Sequence, residues 1–143
     1  MIPSLSRPEL RELFTRFMFA VQANGPIRRL SGCGIVEAFA IHDPDWRVVM
    51  DTREPGTPDK AFALHIDDPN APEPHVEVFI GGETLDKAFC GELHVRSALA
   101  AGLIRFEGDQ PWAIRLIPVL MDVVPFYRSM RAKFAQERYG SPD

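Results

Sequence analysis

The stretch "GLIRFEGDQPWAIRL", residues 102 to 116, decides how this chain is read. It opens on a glycine, places Ile104 and Phe106 on one face of a short strand over 103–107, turns at Gly108-Asp109, and resumes apolar at helical spacing. Asp109 is suited to cap the new helix, and Pro111 fits its first turn. The helix that follows, "QPWAIRLIPVLMDVV", is apolar nearly all round, so it needs a surface to cover. Pro118 leaves the Ile114 carbonyl without its helical donor, which predicts a kink or break over 114–118. A last helix, "PFYRSMRAKFAQERYG", is expected from Pro125, with Phe126, Met130 and Phe134 on one stripe and Arg128, Arg131, Lys133 and Arg138 elsewhere.

Upstream, "GETLDKAFCG" and "ELHVRSALAAG" read as two short helices, the first capped by Thr84 and the two ended by Gly91 and Gly102. Before them come four runs of period two, "IVEAFAI", "WRVVMD", "AFALHI" and "HVEVFI", separated by proline-rich loops. Trp46, Val48 and Met50 alternate with Arg47, Val49 and Asp51, and Phe62, Leu64 and Ile66 with Ala61, Ala63 and His65. This predicts a largely antiparallel sheet with one face more buried than the other. At the start, Ser6 and Glu9 form a capping box, Leu10, Leu13, Phe14, Phe17, Met18 and Val21 make one helical stripe, and Asn24-Gly25-Pro26 stops the helix. The order of elements is an α+β plan with helices gathered on one sheet face.

The length of 143 residues suits a single domain over 1–143. Net charge is -4, with an acidic centre, four basic against thirteen acidic residues over 37–92, between mildly basic ends. That distribution argues against a nucleic-acid groove and allows the ends to approach an anionic membrane surface or a phosphate-bearing ligand, although arginines on polar helix faces account for most of the basic charge. Cys33 and Cys90 lie far apart without a C-x-x-C pair and read as buried thiols of a reducing compartment. With neither a signal-peptide pattern nor an apolar run of about 18 residues, the cytoplasm is the expected location.

Chemistry is hard to assemble from these residues. His65, His75 and Glu77 have an alternation that would suit a metal on a strand face, but His65 sits in another strand and no H-x-x-x-H or H-E-x-x-H spacing occurs, so no metal site is expected. Ser31, Ser97 and Ser129 lack a nucleophile elbow, Cys33 and Cys90 lack a local signature, and His42 and His94 read as loop and helix-surface residues. The glycines of "SGCG" and "FIGGE" form no phosphate loop, and no cofactor is expected. What remains is a surplus of large apolar side chains, from Phe14 to Phe126, on helices that must share one sheet face. Such a layer closes into a solid core or leaves a tunnel.

Gly91, Ala98 seven residues on, Gly102 at eleven, Ile104 and Phe106 in alternation, and Gly108-Asp109 at seventeen and eighteen together resemble the signature of the sterol carrier protein 2 family. Ala113 and Leu116 stand where that family keeps small and apolar residues, and "FIGGETLDKAFCG" is similar to the strand and short helix before its signature. The matched block covers 79–116. The resemblance implies a five-stranded, mostly antiparallel sheet, helices on one face, and between them an apolar tunnel for a fatty acid, fatty acyl-CoA, sterol or isoprenoid. Leu103 departs from the family, which often has Lys there, and the "YGSPD" end is not a peroxisomal Ser-Lys-Leu.

The resulting expectation is non-catalytic lipid binding or transfer between the sheet and the helices of 8–23, 84–101 and 110–135. The expected lining is Phe17, Met50, Leu64, Phe89, Leu99, Phe106, Trp112, Leu116, Leu120 and Phe126, with Arg115 or Arg128 meeting an acidic headgroup. Transient contact with a membrane surface is an expected partner mode. An alternative is an accessory subunit that forms a homodimer or docks a partner through its last two helices around a filled core. An enzyme acting on a lipid-like substrate would need His65, His75 or Cys90 aimed into the cavity.

Overall fold

The computed structural model describes residues 4–23 and 25–140. Asn24 of the predicted helix stop, and the residues "SPD" at the end, lie outside them.

Helix α1 (Arg7–Ala20) begins in the predicted capping box: the Ser6 N–H donates to Glu9 Oε1 at 2.8 Å and the Glu9 N–H to Ser6 Oγ at 3.3 Å. It buries Leu10, Leu13, Phe14, Phe17 and Met18. A short 3-10 turn, Ile27–Leu30, leads to strands β1 (Val36–His42), β2 (Trp46–Asp51), β3 (Ala63–Ile66) and β4 (Val76–Gly81). Helices α2 (Gly82–Phe89) and α3 (Val95–Ala100), strand β5 (Ile104–Gly108), and helices α4 (Gln110–Asp122) and α5 (Val124–Tyr139) complete the chain.

The sheet has five strands in the order β3-β2-β1-β4-β5. Only β1 and β4 pair in parallel, so it is mostly antiparallel. Register places whole rows of side chains under the helices. Ile66, Val48, Phe39, Val78 and Phe106 form one row across all five strands, and Leu64, Met50, Glu37, Val76 and Gly108 the next. On the opposite face Val36, Ala38 and Val49 are covered by Ala71 from the β3–β4 connection, so that face is less open than a simple inside-outside alternation predicts.

The joint at Gly108 is as abrupt as its sequence. Gly108 has a φ of +95°, and a Cβ there would lie 2.1 Å from the His75 carbonyl oxygen. Only glycine fits. The Asp109 N–H donates to that same carbonyl at 2.9 Å, and the Asp109 carboxylate accepts from the Trp112 N–H at 3.0 Å. At the start of α2, a Cβ on Gly82 would meet Pro44 Cδ at 2.5 Å and the Asp43 carbonyl oxygen at 2.7 Å.

Four expectations are corrected. Helix α2 starts directly after β4 with Gly81 as its N-cap, so Thr84 lies inside it. Helix α4 continues through Pro118 without the break allowed for over 114–118, the proline sitting on the exposed side, where water can take the Ile114 carbonyl. Cys33 is exposed, its Sγ donating to the Arg29 carbonyl at 3.1 Å; only Cys90 is buried. The inward stripe of α5 is Tyr127, Arg131, Phe134 and Ala135, with Phe126 and Met130 half-buried beside it.

Arg131 turns inward because α2 offers it Asp86. The two are 4% and 8% exposed, and the guanidinium Nε and Nη2 donate to Oδ1 and Oδ2 at 2.8 and 2.9 Å. The Tyr127 hydroxyl donates to Asp86 Oδ1 at 2.5 Å. Removing one member of a buried pair strands the other's charge, so Arg131→Met is expected to cost about 3 to 5 kcal/mol in urea unfolding. Asp86→Leu combined with Arg131→Met is expected to recover most of that loss.

Candidate functional site

Between the sheet and the helices lie two adjoining cavities of about 40 and 30 Å3, lined by apolar side chains. The first is bounded by β4, β5, α2, α3 and α4, the second by α1, the 3-10 turn, β2, α2 and α4. Phe39, Leu85, Phe89, Leu116 and Leu120 belong to both linings and form the partition between them. Each cavity is smaller than the roughly 150 Å3 apolar cavity that takes one benzene ring. Neither has room for a long chain while the five shared side chains hold these positions.

Of the ten predicted lining residues, Phe17, Met50, Phe89, Phe106, Leu116 and Leu120 border these cavities. Leu64, Leu99, Trp112 and Phe126 do not; they are half-buried and pack on the surrounding core. Phe126 lies against Phe17 with ring centroids 6.0 Å apart. Sequence reasoning missed Phe39 and Leu85. Phe39 was findable, because it occupies the middle of an alternating run that any sheet would place at its centre. Leu85 carried no such signal in a helix of two turns.

The cavity nearer α3 adjoins an outer groove between α3 and α4. Val95, Ile117 and Met121 line both it and that groove, which they share with Leu93 and His94. Ile114 and Met121, on the same helix, are 49% and 43% exposed. Arg115 and Arg128 are exposed and border neither cavity.

The candidate chemical groups do not converge. His65 on β3 pairs with Asp68 at 3.1 Å, and β3 is separated from β4 by two strands. His75 Nδ1 accepts the Val36 N–H at 2.9 Å, and Glu77 pairs with Arg47 at 3.0 Å on the outer face. His94 caps α3, accepting the Ser97 N–H at 3.3 Å. Ser31 accepts from the Gly56 N–H at 2.6 Å, and Ser129 is exposed. Burial, with the Asp86 charge beside it, pushes the Cys90 thiol up to about 11, so it stays protonated and poorly nucleophilic near neutral pH. Among the described residues no group of three or more His, Cys, Asp or Glu is placed to hold a metal, and no helix is long and apolar enough to cross a membrane.

One polar side chain does stand on the apolar floor. Glu37, fully buried in the centre of the second row, accepts the Trp112 indole N–H at 2.8 Å through Oε1, while its Oε2 has no hydrogen-bond partner among the described residues. Burial pushes its carboxyl up to about 7, against the opposing pull of the Trp112 hydrogen bond. The inward position was legible in "IVEAFAI", where Glu37 has the same parity as Phe39 and Ile41.

No protein-family model matches the sequence, and no curated protein does. Solved structures match the fold. Sterol Carrier Protein 2 Like 2 from Aedes aegypti is 23% identical, with a TM-score of 0.56 over 79% of this chain and 97% of that one. Its palmitated form in solution is 24% identical, with a TM-score of 0.53 over 81% and 95%. A stereoselective inverting sec-alkylsulfatase from a Pseudomonas species matches at 15% identity and a TM-score of 0.51 over 71% of this chain, which spans only 15% of the enzyme. The chain thus has the sterol carrier protein 2 fold, as the resemblance over 79–116 implies.

Because the folded protein holds the Glu37 proton up to about pH 7 and the unfolded chain releases it near 4.5, the Glu37 contribution is most favourable below pH 4.5. It is lost as pH rises to about 7, by about 3 kcal/mol in all. Glu37→Gln, which cannot ionise, is expected to remove that part of the decline in urea unfolding measured from pH 5 to 8.

Proposed function

We propose that this chain, as one domain over 1–143, binds and transfers an apolar lipid between its sheet and helices without covalent chemistry. The observation that carries the reading is the wholly apolar lining of the two adjoining cavities, one of which shares Val95, Ile117 and Met121 with an outer groove between α3 and α4. Burying a methylene is worth about 0.8 kcal/mol, so a sixteen-carbon chain offers roughly 12 kcal/mol before ordering costs. Displacing the partition side chains draws on only part of that gain. The shared fold with a palmitated protein supports a long-chain ligand. Val95, Ile117 and Met121 form the mouth, and exposed Ile114 and Met121 give it an apolar rim for brief contact with a membrane. A cytoplasmic setting suits the free thiols of Cys33 and Cys90.

Native mass spectrometry of protein purified from its own host is expected to show a co-purifying lipid. Palmitate at a hundredfold excess over its Kd is expected to stabilise the protein by about 2.7 kcal/mol, read as a rise in Tm. Failure of every long-chain probe to raise Tm, with no lipid retained, would remove the reading.

Leu116→Ala opens the partition. It is expected to cost about 2 to 5 kcal/mol in the lipid-free protein and to gain more in Tm from palmitate than the wild type does, as differential scanning calorimetry would measure.

A further inference from the structure

Glu37 is out of place in everything around it. Its row neighbours are Met50 on β2 and Val76 on β4, its neighbour along the same face is Phe39, and Trp112 of α4 lies above it. Met50 lines one cavity, Phe39 both, and Ala113, next to Trp112, the other. The carboxyl therefore stands on the floor immediately beyond the two linings, on the helix-covered face. Trp112 satisfies Oε1 and nothing among the described residues satisfies Oε2. A buried acceptor without a donor is costly, and a sheet centre offers many apolar residues that would avoid the cost.

Taking the lipid reading above as its basis, we propose that Glu37 is the polar anchor of the site, accepting a hydrogen bond through Oε2 from the hydroxyl or amino head of a lipid. The apolar body of that lipid lies toward Phe39 and the partition. At pH 8, with the carboxyl ionised, the arrangement selects against a carboxylate head, which brings acceptors and a like charge to an acceptor. It also gives Trp112 a positioning role, since its indole N–H holds one carboxyl oxygen and leaves the other to the ligand.

The test uses three probes of one chain length, dodecanol, dodecylamine and dodecanoate, titrated calorimetrically at pH 8 into the full chain. Dodecanol and dodecylamine are expected to bind about tenfold tighter than dodecanoate, the usual effect of satisfying one buried polar group. Glu37→Leu is expected to bring the three within about twofold of one another. Glu37→Gln, whose one carbonyl oxygen is held by the Trp112 indole, turns an NH2 donor toward the ligand and is expected to abolish the preference over dodecanoate, whose carboxylate can then accept. Equal binding of all three by the wild type overturns the anchor while leaving the lipid reading in place, and so does a preference that survives in Glu37→Leu. If none of the three binds, the lipid reading itself falls, and the anchor with it.

Discussion

The placement of α4 on the sheet rests on a joint of two residues. Gly108 lets the end of β5 pass so close to the His75 carbonyl that no side chain fits, and Asp109 uses its N–H on that carbonyl and its carboxylate on the first turn of the helix. With the helix start pinned to the start of β4, the following residues have one course open to them, back across the strands. Ala113, Leu116, Ile117 and Leu120 then become the roof of the interlayer space. Trp112 closes the same corner from above by reaching Glu37.

Two buried carboxyls show how differently one kind of group can be used. Asp86 is met on both oxygens by Arg131 and also by the Tyr127 hydroxyl, so its charge is held and ties α2 to α5. Such a network satisfies both carboxylate oxygens from within the protein. Glu37 has one neutral donor for two oxygens, and its carboxyl is correspondingly reluctant to ionise. The first arrangement sets helix geometry, whereas the second leaves an unsatisfied acceptor beside apolar space.

The size of that space bears on how a guest would be received. Interiors pack at the density of organic crystals, so helices laid on a sheet do not enclose a wide passage unless something keeps them apart. Here the two cavities are divided by five side chains, including Phe89, whose ring lies 5.1 Å from both Phe17 and Tyr127. Leucine and phenylalanine side chains can exchange one apolar neighbour for another at little net cost, which makes a partition of this composition displaceable where a hydrogen-bonded one would not be.

The sequence by itself determined the local elements, because their signals lie within a few residues: the Ser6 and Glu9 capping box, the period of two in four strands, and the Gly108-Asp109 turn. It also pointed to the fold, through the resemblance of the stretch from Gly91 to Asp109 to the sterol carrier protein 2 signature. What it left undecided was set by contacts between residues far apart in the chain. The parallel pairing of β1 with β4, the inward turn of Arg131 toward an aspartate 45 residues away, and the rotation of α5 toward Tyr127 all depend on which surfaces meet after folding. So does the membership of the cavity linings, where Leu85 was unforeseen and Leu64, Leu99, Trp112 and Phe126 fall outside. Periodicity states which face of an element is apolar, but the space left between two apolar faces depends on interdigitation to within a methyl group, and that is fixed only when the whole tertiary structure is in place.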